Sequence, residues 1–257
     1  MRLALFSDIH GNLTAFEAAL ADLQALGGAD HTWVLGDLAA FGGRPAECVR
    51  RVAGMKDAPG FGKVQVIGGN TDRYLVNGTR FRSPSAKDAE ELKKLAQTCK
   101  ERDTILNWNL EQLGFEDYDL LKKIRGREIS EFVEGYGWVI GYHGTPGNDE
   151  GWLWPDTPAE EVSDALLDRE GRLAIGGHTH KAMDREVGRW RVVNPGSVGL
   201  SFELPGVACW GLLTFAGDSV HVDLRRVPYD VEAAIADLSA AGYPLVEWAA
   251  ARLRPKA

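Results

Sequence analysis

Five short apolar runs, each followed by a residue of a type that can ligate a metal ion, constrain this chain more than any other feature. The runs are 3–7, 32–35, 64–67, 138–142 and 173–175; after them come Asp8 and His10, Asp37, Asn70, His143, and His178 with His180. Apolar runs of this length, bounded by glycines and polar turn residues, read as buried strands. A helix lies between the first two, with Leu13, Phe16, Leu20, Leu23 and Leu26 near helical spacing. Asn12 and the pair Thr14 and Glu17 compete to cap it, and Gly27-Gly28 stops it. A second helix spans 45–52. Strand–helix–strand alternation predicts parallel strands in an α/β fold. If the runs form one sheet, their carboxyl ends bring all seven donors to one crevice, where open α/β sheets bind ligands.

The rhythm breaks at 73–128, read as a helical insertion that covers or flanks the crevice, with helices at 85–99, 101–113 and 118–124. Strands return at 129–134 and 138–142, joined at Gly135-Tyr136-Gly137 as a hairpin. More follow at 173–175, 191–193, 207–215 and 220–227, the last two turning at Ala216-Gly217-Asp218-Ser219 as an antiparallel pair. A helix at 231–241 and a short helical tail close the chain. With no repeats or long linkers, 1–257 is expected to be one domain containing the insertion.

The net charge of −8 argues against a nucleic-acid polymer or an anionic membrane as partner, and leaves small phosphorylated substrates open. No apolar stretch approaches the roughly 20 residues that a spanning helix needs. The first residues are too short and too soon charged for a signal peptide. Cys48, Cys99 and Cys209 are odd in number and lack CxxC spacing, which fits a reducing cytoplasm and structural thiols.

Each motif alone has an ordinary reading. Asp8 could cap a helix, Gly36-Asp37 and Gly69-Asn70 could be turns, and His143 could be a core or loop residue. Gly176-Gly177-His178-Thr179-His180 is the most specific, its glycines making room for two imidazoles in a crowded centre. Five such motifs in order supply donors for two cations with one shared carboxylate, which five separate bland explanations do not account for.

The set Asp8-x-His10, Gly36-Asp37, Gly69-Asn70-x-Asp72, His143-Gly144 and Gly177-His178-Thr179-His180 resembles the calcineurin-like metallophosphoesterase superfamily. The segments 194–199 and 227–230 resemble its small bacterial and archaeal members. The resemblance implies a four-layer αββα sandwich, two mixed β-sheets flanked by helices, with the site on one rim. It implies that Asp8, His10 and His180 hold one metal ion and Asn70, His143 and His178 the other, with Asp37 bridging. Asp37, Asn70 and His143 would then also be the catalytic residues. The ions would be Mn, Fe, Zn or Ni, since a mixed oxygen and nitrogen set does not choose among them. A hydroxide shared by the ions would attack phosphorus in a phosphomonoester or phosphodiester.

No protein nucleophile is needed, so Ser197 is read as a turn or supporting residue. Many relatives carry a histidine where Thr71 stands, and threonine is a poor general acid, which leaves that role unassigned. Asp72 is read as ordering its loop. Arg44 and Arg73, close in sequence to the donor motifs, are candidate substrate-phosphate contacts, with structural arginines as the alternative. Trp152 and Trp154 offer either a base-stacking platform or packing beneath a loop. The expected partner is a small phosphorylated molecule or a nucleotide, with a homo-oligomer left open. The rival readings are a serine/threonine-type protein phosphatase and a non-catalytic interaction scaffold on the same fold.

Overall fold

Strand β1 (Arg2–Phe6) buries both its faces: Leu3 and Leu5 join one apolar cluster, Ala4 and Phe6 another. A strand buried on both sides must lie between two layers, and the rest of the fold supplies them. The computed structural model describes residues 1–255. After β1 come α1 (Leu13–Ala25), β2 (His31–Leu35), α2 (Pro45–Gly54) and β3 (Lys63–Ile67). Helices α3 (Asn70–Asn77), α4 (Ala89–Gln112) and α5 (Phe115–Ile124) follow. The second half runs β4 (Ile129–Val133), β5 (Gly137–Gly141), α6 (Ala159–Ala165), β6 (Leu173–Ile175), β7 (Met183–Val187) and β8 (Trp190–Asn194). It ends with β9 (Val207–Ala216), β10 (Ser219–Pro228), α7 (Val231–Ala240) and α8 (Val246–Leu253).

The strands form two five-stranded mixed sheets, ordered β10-β9-β1-β2-β3 and β4-β5-β6-β8-β7. Each has a parallel centre: β1, β2 and β3 in the first, β5, β6 and β8 in the second. Antiparallel strands complete both. Leu5, Trp33, Leu35, Ile67, Val139, Ile175 and Phe215 pack between the sheets, while Phe6, Phe16, Val34 and Leu121 join the first sheet to its helices. Ile140, Tyr142, Val162 and Leu166 join the second sheet to α6. This is the four-layer sandwich. The donor-bearing strands are therefore not in one sheet: β1, β2 and β3 belong to one, β5 and β6 to the other.

Several elements depart from the sequence expectation for physical reasons. Asn12, not Thr14, caps α1, its side chain accepting from the Ala15 N–H at 3.1 Å, while Thr14 reaches Asp237. The two polar helical stretches at 85–99 and 101–113 are one helix, α4, capped by Asp88 and not broken by any glycine or proline. Helix α3 begins at Asn70 itself, so the helical region starts three residues before position 73. Strand β7 is hidden in the sequence because Asp184, Arg185 and Glu186 fill its centre, the charged pattern of a protected edge. Among the described residues no helix is long and apolar enough to cross a membrane.

Candidate metal centre

Hydrogen bonds between loops draw the strand ends together. The backbone N–H groups of Asp8, His10 and Gly11 donate to the carbonyls of Gly36, Asp37 and Leu38. Those of Val198 and Gly199 donate to Ser7 and Asp8, and Gly177 donates to His143 across β5 and β6. The fit is close enough to dictate glycine: a Cβ on Gly69 would collide with Asp37 Oδ1, and one on Gly36 (φ +93°) with the Gly69 nitrogen.

The seven sequence-predicted donors are all buried and meet in two groups. Asp8, His10 and His180 form one, and Asp37, His143 and His178 the other; within each, the donor atoms lie within 4.8 Å of one another. Asn70 Oδ1 lies 3.1 Å from His143 Nε2, beside the second group. One oxygen, Asp37 Oδ2, faces both: it is 3.7 Å from His10 Nε2 and 3.5 Å from His143 Nε2. Its partner Oδ1 accepts the Thr71 N–H at 2.9 Å, which fixes the carboxylate plane. Asp8 is divided likewise. Its Oδ2 accepts from Ser7 Oγ and the His178 N–H, while Oδ1 has no hydrogen-bond partner.

The tautomers point the same way. His143 Nδ1 donates to the Leu35 carbonyl at 2.7 Å and His180 Nδ1 to the Leu200 carbonyl at 2.5 Å. Each Nε2 then presents a lone pair to the centre, the usual arrangement of a metal-binding histidine. These lone pairs face other acceptors: Asn70 Oδ1 and Asp37 Oδ2 for His143, Asp8 Oδ1 at 3.3 Å for His180. His10 Nε2 is 3.0 Å from His180 Nε2, and His178 Nε2 has no partner. Converging Lewis bases of this kind attract positive charge. Without a metal a proton serves: burial opposes charging His143, yet the Asp37 and Asp8 carboxylates push it up to about 10. Burial holds His10 and His178 down at about 4, neutral and ready to ligate. The donor set fits two cations.

The backbone is strained where the donors sit. Of seven non-glycine residues with positive φ among the described residues, five are Asp8, His10, Asp37, His178 and His180. Each such conformation costs on the order of 1 kcal/mol, and strain of this kind gathers at functional sites. Supporting residues are fully committed. Ser197 Oγ donates to the Asp8 carbonyl and accepts from the Leu200 N–H, so it is not poised as a nucleophile. Asn194 Nδ2 holds the Gly177 carbonyl. Asp72 accepts from Leu38 and Ala39 through Oδ1 and from Gly69 through Oδ2. Burial and the Asp37 charge push Asp72 up to about 7, against the pull of those N–H groups.

A cleft of about 420 Å³ opens over His10, Asp37, Asn70, His178 and His180. Helix α4 lines it with Thr98, Glu101, Arg102 and Leu106, and α8 with Trp248 and Arg252. The region read as an insertion thus forms part of the cleft wall. Neither arginine expected at the substrate lines this cleft. Arg44 is held by Asp237 at 2.6 Å and by Glu47, and Arg73 grips Asp149 with two nitrogens and Glu150 with one. Substituting Arg44 with glutamine should leave kcat/KM unchanged while lowering stability slightly, as steady-state kinetics and a melting curve would show. Arg102 and Arg252, which do line it, drew no attention in the sequence because they lie far from the donor motifs. His31 pairs with Glu131 at 3.0 Å, and His221 is exposed; both stand outside the centre.

Residues 1–215 match the family described as the Calcineurin-like phosphoesterase superfamily domain. An uncharacterized protein of Methanocaldococcus jannaschii, MJ0912, is 27% identical over 272 residues, covering 98% of this chain and 96% of that one. The crystal structure of a hypothetical protein of Pyrococcus horikoshii OT3, PH1004, aligns with a TM-score of 0.79 at 22% identity, over 100% of this chain and 99% of that one. A metallophosphoesterase from Sphaerobacter thermophilus aligns with a TM-score of 0.69 at 23% identity, over 98% of both chains. At these identities the two structures establish the fold.

Proposed function

The chain belongs to the calcineurin-like phosphoesterase superfamily, and on that premise we propose that it is a dinuclear-metal phosphoesterase acting on phosphomonoesters or phosphodiesters of small molecules. The observation that carries this reading is Asp37 Oδ2, a single oxygen turned toward both donor groups. Asp8, His10 and His180 would hold one ion, and Asn70, His143 and His178 the other, with Asp37 bridging. Two such ions, when bound, supply a water of lowered pKa and Lewis-acid stabilisation of the phosphoryl oxygens.

The protein's own part is to place and exclude. Ser7 and the His178 N–H keep Asp8 to one ligating oxygen, and Thr71 does the same for Asp37. Leu35 and Leu200 carbonyls set the imidazole tautomers. Helices α4 and α8 wall the cleft. Thr71 directs its own hydroxyl toward the Ala39 carbonyl, at 3.4 Å, so the leaving group is offered no side-chain proton from that position.

The direct test is metal analysis and turnover of bis(p-nitrophenyl) phosphate after loading with Mn. Two bound equivalents with turnover are expected; an empty protein without turnover defeats the reading. Thr71→His supplies an imidazole acid where the leaving group departs. It should shrink the rate advantage of p-nitrophenyl over alkyl esters by about ten-fold or more, since a positioned acid contributes at least that. Equal changes for both ester types would show that position 71 does not serve the leaving group.

A further inference from the structure

The cleft carries more than metal donors. Its walls include Phe41, Tyr74, Phe81, Trp152, Phe202 and Trp248. Of the six exposed Phe and Trp side chains among the described residues, Phe81, Trp152 and Phe202 are in this cleft, with Phe202 56% and Trp152 42% exposed. The rings begin at the donors. Trp152 lies 4.2 Å from the His178 ring, and Phe202 stacks on His180 at 4.4 Å and 16°. Those histidines belong to different donor groups, so a phosphate seated there carries its organic group across wetted aromatic faces. Such faces gain most from a flat ring laid on them.

Two cationic side chains share the cleft. Arg252 lies over the Trp248 ring, its Cζ 3.5 Å from the ring centroid, with Nη1 donating to the Trp248 carbonyl and no carboxylate paired to it among the described residues. Arg102 uses Nε on Asp103 and Nη1 on the Phe81 carbonyl, leaving Nη2 uncommitted. Outside the donor groups the cleft's carboxylate is Glu101, which accepts from Gln97. In a chain of net charge −8, two arginines against one carboxylate mark a place for an anion.

We propose that the cleft takes a nucleotide bearing two separate phosphate groups, with the reacting phosphate at the donor centre, the base on the Trp152 and Phe202 faces, and the second phosphate on Arg102 and Arg252. The proposal rests on the phosphoesterase reading for the first phosphate alone. Three ligands separate the contributions: ribose 5-phosphate, adenosine 5′-monophosphate and adenosine 3′,5′-bisphosphate. Each is titrated by calorimetry into Mn-loaded protein, with phosphate release followed in parallel; where a ligand is turned over, KM replaces Kd.

Affinity should rise roughly ten-fold on adding the base and roughly ten-fold again on adding the second phosphate. Trp152→Ala should erase the first step and Trp152→Phe restore most of it, with ribose 5-phosphate binding unchanged as proof of a folded site. Arg252→Gln combined with Arg102→Gln should erase the second step only. Equal affinity for the three ligands, or variants that weaken all three alike, would overturn the proposal. If the ranking holds without phosphate release, the cleft assignment stands and hydrolysis of these monoesters falls, while turnover of bis(p-nitrophenyl) phosphate separately decides the diester half of the reading.

Discussion

Asp37→Asn should abolish the binding of both metal ions, not one. An ion held at a thousand times its Kd stabilises the fold by about 4 kcal/mol, so the parent protein's melting temperature should rise steeply on Mn addition. The variant's should not move. The substituted amide keeps the shape of the Asp37 carboxylate and still accepts the Thr71 N–H through its oxygen, in the place of Oδ1. It replaces Oδ2 with an NH₂ group aimed at His10 Nε2 and His143 Nε2. A donor then stands where both cations need an acceptor, and the charge that offsets their mutual repulsion is gone. Turnover should fall by more than the roughly 100-fold that changes around metal ligands produce. His180→Ala is the control, because His180 belongs to one group; it should cost one equivalent and leave the other. Metal analysis after dialysis decides between them, and two ions retained by the Asp37→Asn protein would remove Asp37 from the centre.

The candidate donors stood out in the sequence because each follows an apolar run within a few residues, and strand ends in parallel sheets gather ligands. The same rule left the sheet assignment open, and the two-sheet sandwich came from the family resemblance. Apolar runs identify strands but carry no information on which sheet they join, so β5 and β6 could not be told from a continuation of β1, β2 and β3. The residues proposed to bind from other elements were invisible for a related reason. Arg252 and Arg102 lie on polar helices, where an arginine reads as a solvated side chain, and their value comes from facing the cleft. For Arg44 and Arg73 the structure favours the structural alternative that the sequence left open. Nearness in sequence suggested substrate contacts, but Asp237, Glu47, Asp149 and Glu150 occupy their guanidinium groups. For Asp72 local reading reached the right kind of role, since a carboxylate two residues past a donor is well placed to tie loops.

Asp72→Ala should be the most destabilising single substitution near the centre. The Asp72 carboxylate receives three buried N–H groups, from Leu38 and Ala39 after β2 and from Gly69 after β3. Alanine strands all three. Each unsatisfied buried donor costs about 1–3 kcal/mol, against a total stability on the order of 5–15 kcal/mol. A urea titration should therefore lose at least about 3 kcal/mol, unless water enters and restores part of it. Asp72→Asn is the informative companion. Its amide oxygen can keep the contacts of Oδ1 while its NH₂ group turns against the Gly69 N–H, which separates the two loops but spares most of the fold. Because those loops carry Asp37 and Asn70, Asp72→Asn should weaken metal binding about 10- to 100-fold, with a smaller loss in urea resistance than Asp72→Ala. A variant that unfolds earlier yet binds Mn as tightly as the parent would show that Asp72 serves the fold alone.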